Sequence, residues 1–332
     1  MRSTRRRGGA LLMVLWLSAA LSAIAFSVAL KVRTEMGRAE TSMEGLRAYY
    51  LACGAADRAL NYMTYGPGAR AEGGRPQFWE PGVPLLVFNF PGGVAMVEVI
   101  PESSRLSVNR ASPEEIFRLL IALGLPPEEA GQVSGAILHW RGQGGGQLDS
   151  IYLSRTPSFR APHASLEQIE ELMSVAGITP ELFHGGYTRT AEGALMPRSG
   201  LRDCLTVWSA GNSPLDINTT DPAVMLALGA PPQGVEALVN LRSRSPIPPV
   251  QRGEASALLG PAAGRFGIGG TELTYTLRAT ARLRRQDGRL SDLRRSVALT
   301  VQLLPMSQPG GYRILAWHDN AAGRELFNVW PE

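Results

Sequence analysis

The chain has 332 residues, 44% hydrophobic and 19% charged, with 37 glycines and 24 prolines, a composition that excludes a disordered chain and suits globular domains rich in turns. Its formal charge is +4, from 33 basic and 29 acidic side chains, and because Lys31 is the single lysine and the arginines are scattered among carboxylates, the basic balance does not by itself indicate nucleic acid. Two cysteines, Cys53 and Cys204, exclude a disulfide scaffold and a CxxC metal or redox site, and leave a single bridge open.

The first element follows a cluster of arginines, Arg2, Arg5, Arg6 and Arg7. From Gly9 to Leu30 every residue is apolar, small, Ser or Trp, and a helix of that length covers about 33 Å, one bilayer core. A cleaved secretion signal, with Ala23-Ile24-Ala25 at the cut, is the alternative, although signal peptides carry shorter apolar cores. With the helix retained, the arginines hold its N-terminus in the cytoplasm and the bulk of the chain lies outside. The spacing of Met36, Ala39, Met43, Leu46, Tyr50, Cys53 and Leu60 continues the helix, now one-sided, to about Tyr65, where Gly66-Pro67-Gly68 ends it.

A Gly/Pro/Arg-rich loop over 69–84 precedes "LLVFNF" and "VAMVEVI", two strands around Pro91-Gly92-Gly93. A second β block lies near the C-terminus: "LTYTLRATARLRR" and "SDLRRSVALTVQLL" flank an Asp-Gly turn, and "YRILAW" adds a last strand. Between them, from about Ser104 to Phe266, the pattern is helical and repeats itself. "LSVNRASPEE" at Leu106 returns as "LDINTTDP" at Leu215. Ser112 is an N-cap with Pro113 at the first helical position and Glu115 completing a capping box; Asp221 and Pro222 repeat the first two roles. Both helices end at Gly before a Pro-Pro pair that opens the next helix at Pro127 and Pro232. A third, partial unit has Ser165 as cap and Gln168 as its partner.

"LGLPPEEA", Leu123 to Ala130, is close to the hairpin by which helix-hairpin-helix modules hold DNA phosphate. Here Pro126 and Pro231 stand where a backbone N–H would be needed, and Glu128 and Glu129 put carboxylates where phosphate would sit. DNA binding is therefore disfavoured. The four histidines, His139, His163, His184 and His318, have no HxxxH or HExxH spacing, and no nucleophile elbow or phosphate loop is present. The reading is no enzyme and no metal site.

These features together resemble the K-type minor pseudopilins of bacterial type II secretion systems: the basic leader with "RGGALLMVLW", the two repeat modules set within a sheet-forming domain, and the closing "LTYTLRATARL". The resemblance implies an α+β fold: a long hydrophobic helix, a pilin-like antiparallel sheet, and a large inserted all-α, SAM-like domain. The corresponding division is a prepilin leader over 1–8, a transmembrane helix over 9–30, a periplasmic helix with first strands over 31–103, the insertion over 104–266, and the last strands over 267–332.

The same resemblance implies cleavage by a prepilin peptidase between Gly8 and Gly9, with methylation of the new N-terminus and the Gly9–Ala10 bond as runner-up. Met13 then occupies the fifth mature position, where most pilin-like subunits carry Glu; K-type members share this departure and are implied to cap the pseudopilus tip. Implied partners are the I-type and J-type minor pseudopilins, the major pseudopilin, the inner-membrane assembly platform and exported cargo, with Met36, Met43, Leu46 and Tyr50 packing against partner helices. Some relatives bind calcium in the region after Trp140, but here "RGQGGGQLDS" offers Asp149 as its only carboxylate, too few for a calcium shell. A minor pilin of a type IV pilus and a membrane-anchored helix-hairpin-helix DNA binder are the alternatives.

Overall fold

The computed structural model describes residues 5–66, 69–70, 77–143, 148–189, 193, 195–209, 213–268, 273–304, 311–321 and 330, with the side chains of 5–8 and 196 excluded. Residues 1–4 of the expected leader and 144–147 of the stretch after Trp140 lie outside the described residues. Helix α1 runs unbroken from Arg5 to Tyr65, about 90 Å at 1.5 Å per residue. Residues 9–43 of it are all exposed, and its window of highest hydropathy meets the length and composition of a membrane span. Gly66 stops it where a Cβ would collide with the Tyr62 carbonyl and with Phe78 at 2.7 Å.

From Gly45 onward α1 lies on a sheet. Strands β1 (Leu85–Phe90) and β2 (Gly93–Pro101) form the expected hairpin, after which the chain leaves the sheet through a 3-10 turn at Glu102–Ser104.

The insertion then contributes β3 (Leu106–Ser107), α2 (Pro113–Ala122), α3 (Pro127–Trp140), α4 (Asp149–Leu153), α5 (Pro180–His184), β4 (Gly186–Arg189), β5 (Leu195–Arg198), α6 (Leu201–Cys204), β6 (Leu205–Thr206), β7 (Leu215–Asp216), α7 (Pro222–Ala227), α8 (Pro232–Arg244), α9 (Arg252–Leu258) and β8 (Phe266–Gly267). The sheet resumes with β9 (Thr274–Arg284), β10 (Leu290–Leu303) and β11 (Tyr312–His318), giving the all-antiparallel order β1-β2-β9-β10-β11.

Small side chains bring α1 and the sheet together. Ala48, Ala52, Ala55, Ala56 and Ala59 are fully buried, and the last four pack with Val97, Val99, Leu277, Ala279, Val297 and Leu299. Alternation puts Glu98, Thr276, Arg278, Thr280, Ser296 and Thr300 on the opposite face. Those groups pair with each other: Thr276 with Thr300 and Thr280 with Ser296, each at 2.8 Å, while Arg278 donates to its cross-strand neighbour Glu98 at 2.5 Å.

The insertion has a separate apolar core, reaching from Leu106 to Phe266, and its two repeats are built alike. Ser112 and Glu115 form the expected capping box on α2, and the Asp221 carboxylate accepts from the Ala223 N–H at the start of α7. Asn109 grips the backbone of Leu166 with both ends of its amide, at 2.9 and 2.8 Å, and Asn218 grips Ile247 in the same way, at 3.1 and 2.8 Å. Arg141 donates to the carbonyls of Val108 and Ala111, as Arg242 does to those of Ile217 and Thr220. Each module closes with a short parallel pairing, β3 with β6 and β7 with β8. The third unit differs from expectation. Gln168 rather than Ser165 is its N-cap, Glu171 accepts from the N–H groups of Glu167 and Gln168, and Ile169–Ser174 is a 3-10 turn.

The two cores are joined at Glu102, whose fully buried carboxylate accepts from Thr276 of β9 and Thr206 of β6, both at 2.5 Å, and from Arg105 at 3.0 Å. Replacing Glu102 by Ala leaves a guanidinium and two hydroxyls facing a gap, so it is expected to cost about 3 kcal/mol. The check is a lowered urea midpoint for the detergent-solubilised chain. Glu35→Ala, which breaks an exposed pair with Arg38, should change stability by less than about 1 kcal/mol.

Candidate functional site

Two regions carry the expected functional residues: α1, and the insertion at the end of the sheet. On α1, Gly8 and Gly9 lie in the first turns, and space for a Cβ is open at Gly9. Met13 projects outward with 76% of its surface exposed. Met36, Met43, Leu46 and Tyr50 are also exposed, Met36 at 67% and Tyr50 at 65%.

At 100° per residue these four side chains fall on one face, roughly opposite the alanines that meet the sheet. Leu60, read from the sequence as part of the same stripe, belongs instead to the sheet core, and Cys53 is half-buried against it. Cys53 and Cys204 are both free thiols, Cys204 in the core of the insertion, where burial pushes its pKa up.

The exposed face is held from beside. Tyr49 packs edge-on against Tyr50, ring centroids 5.3 Å apart, and donates its hydroxyl to Asp319 at 2.8 Å. Trp317 of β11 donates to the same oxygen at 2.6 Å. The bonds from Trp317 and Tyr49 hold the Asp319 carboxyl below its ordinary range.

Contacts along α1 fix which end of the sheet bears the insertion. Gly93, at the start of β2, lies against Leu51, and Gly45 lies against Arg295; farther along α1, Gly311 lies against Thr64. Trp79, shortly after α1, stacks edge-on with Tyr275, which pairs with Pro101 at the exit to the insertion. The insertion therefore leaves and rejoins the sheet at the end farthest from the apolar half of α1. Between it and the polar sheet face is a cleft of about 750 Å³, with Arg105, Arg202, Arg278 and Arg294 among its lining residues, facing Glu170 and Asp203.

In the hairpins near Pro126 and Pro231 the proline nitrogens have no N–H to donate. Gly124 and Gly229 take the left-handed conformation, with φ of +90° and +89°, and the following N–H groups of Leu125 and Ala230 are bonded inside the module, to Leu120 and Met225. Glu128 and Glu129 occupy the first turn of α3.

The histidines depart from the sequence expectation, since two of them meet one carboxylate: His139, Asp149 and His163 place their ligand atoms within 4.8 Å of one another. Sequence spacing gave no sign of this, because His163 returns to the end of α3 only through the fold. Among the described residues, the ligand groups gathered at Asp149 are the ring nitrogens of His139 and His163, whereas calcium takes six to eight oxygens.

Comparison with known proteins agrees with this architecture. Residues 97–185 match the family model described as Type II secretion system (T2SS), protein K. A chain of the GspK-GspI-GspJ complex from the enterotoxigenic Escherichia coli Type 2 Secretion System shares the fold, with a TM-score of 0.52 and 16% identity over 86% of this chain and all of that one. No curated protein matches.

The Asp319 pair gives a pH prediction. A carboxyl whose pKa is lowered on folding stabilises the fold above its unfolded value, about 3.9, and loses that contribution as pH falls through the lower folded value. Asp319→Asn is expected to be less stable than wild type at neutral pH and to converge with it at strongly acidic pH. Urea titrations across that range, followed by tryptophan fluorescence, measure the difference.

Proposed function

We propose that this chain, a type II secretion minor pseudopilin by its inserted domain and its fold, starts and caps the pseudopilus tip. The observation that carries the reading is the placement of the insertion. It emerges at the end of the sheet remote from the membrane helix, where a subunit added above would need clear space. A helical domain filling that space makes the chain a last subunit and turns its surface toward partners or exported cargo.

In this reading Arg2, Arg5, Arg6 and Arg7 mark the cytoplasmic end, α1 crosses the inner membrane once, and the sheet and insertion are periplasmic. Prepilin peptidase cuts between Gly8 and Gly9. The apolar Met13 then needs no counter-charge in lipid, whereas an unpaired carboxylate there would be costly. Such a subunit has no call for the amine of a neighbour above it.

The role is structural rather than enzymatic. The fold relative comes from a GspK-GspI-GspJ complex, and in this reading the exposed face with Met36, Met43, Leu46 and Tyr50 docks on the helices of I-type and J-type partners while the alanine face stays on its own sheet.

Gold-labelled antibody against the insertion should mark pseudopilus ends; label spaced along the shaft would sink the capping role. Mass spectrometry of the membrane-extracted protein should find Gly9 as a peptidase-dependent N-terminus. Leu46→Arg should leave stability within about 0.5 kcal/mol of wild type, as expected of a surface position, yet sharply reduce recovery of the I-type and J-type partners with the chain.

A further inference from the structure

His139, Asp149 and His163 gather two imidazoles on one carboxylate. His139 lies in the last turn of α3, 1% exposed, and its Nε2 stands 3.0 Å from Asp149 Oδ1. His163 brings its own Nε2 to the same oxygen at 3.1 Å, and to Oδ2 at 3.3 Å. The other nitrogen of His163, Nδ1, lies 3.3 Å from the backbone carbonyl of His139. A carbonyl only accepts, so that contact assigns the proton to Nδ1. In a neutral ring, Nε2 then turns a lone pair toward a carboxylate. Two acceptors at that distance repel unless a cation, either a second ring proton or a metal ion, lies between them.

The backbone around the cluster is shaped for it. His163 adopts φ +48°, the one non-glycine residue at positive φ among those described, a conformation that costs free energy and collects at ligand sites. Gly142, with φ +79°, lets the chain pass against the His163 carbonyl, 2.6 Å from where a Cβ would sit. The Ala164 N–H then bonds the Trp140 carbonyl at 3.1 Å. One side of the cluster is sealed by α3, and His163 leaves the other open to solvent.

We propose that His139, Asp149 and His163 bind a nitrogen-preferring divalent transition metal, of which zinc is the probe, and that this ion fastens the loop at His163 and the start of α4 to the end of α3. Zinc bonds nitrogen at about 2.0–2.1 Å and carboxylate oxygen at about 2.0–2.2 Å, so neighbouring ligand atoms of its tetrahedron stand about 3.3 Å apart. The two nitrogen-to-oxygen separations are within a few tenths of an ångström of that edge. The His163 Nδ1 contact supplies the outer support by which metal-bound imidazoles are oriented. Two imidazoles with one carboxylate suit zinc, nickel or copper rather than calcium, and water completes the shell on the open side.

The test uses the full-length chain in detergent, stripped of metal by a chelator and dialysed against zinc. Wild type should retain one zinc per chain with calcium in excess, and cobalt in its place should give the visible bands of a tetrahedral nitrogen and oxygen site. His163→Ala, at an exposed position, and Asp149→Asn, at a half-buried one, should bind at least about tenfold more weakly. A variant lacking both cysteines and His184→Ala should bind as wild type does. Circular dichroism checks that each variant folds. Retention of zinc equal in wild type and His163→Ala, displacement by calcium, or no tetrahedral cobalt spectrum in wild type would overturn the proposal and leave a proton as the bridging cation.

Discussion

The carboxylate of Glu102 is the hinge on which the arrangement depends. Among the described residues the sheet and the insertion each have an apolar core of their own, so neither core by itself dictates how one sits on the other. Burial is non-directional in any case. Directional bonds from Thr276 on one side and Thr206 on the other, with Arg105 balancing the charge, supply the orientation that apolar contact would not. A buried ion pair is a poor source of net stability, because desolvation offsets most of the attraction. What it does well is disfavour other arrangements, since a slip of the insertion would strand a charge.

Within the insertion one physical solution is used twice. Asn109 and Asn218 each tie a distant backbone to the start of a module, and Arg141 and Arg242 each neutralise two carbonyls of the turn that precedes a helix. Both devices satisfy backbone groups that a short strand leading straight into a helix leaves without partners. That explains why the repeat shows in sequence as Asn plus a capped helix start, although the asparagine's partner and the arginine lie outside the repeated motif.

Local signals were accordingly legible and long-range ones were not. Ser112, Asp221, the Pro-Pro helix starts and the Asp-Gly hairpin act within a few residues, and each stands where the sequence puts it. Gln168 displaced Ser165 as a cap because Glu171 reaches back to the N–H groups of Glu167 and Gln168, making a tighter turn than the α-helical start expected there. Leu60 shared the spacing of the exposed stripe, but spacing alone does not say which face meets the sheet. The approach of His163 to His139 depends on a chain reversal across residues for which no short-range pattern exists.

The hairpin at Gly124 sets helix stability against affinity for anions. Gly124 takes the left-handed conformation and α3 starts at Pro127. Two successive prolines remove two donors, the N–H of Leu125 is spent on Leu120, and Glu128 and Glu129 put negative charge at the positive end of α3. The same carboxylates stabilise that helix end. Phosphate affinity and helix stability thus compete for one helix end, and here two carboxylates stand at it.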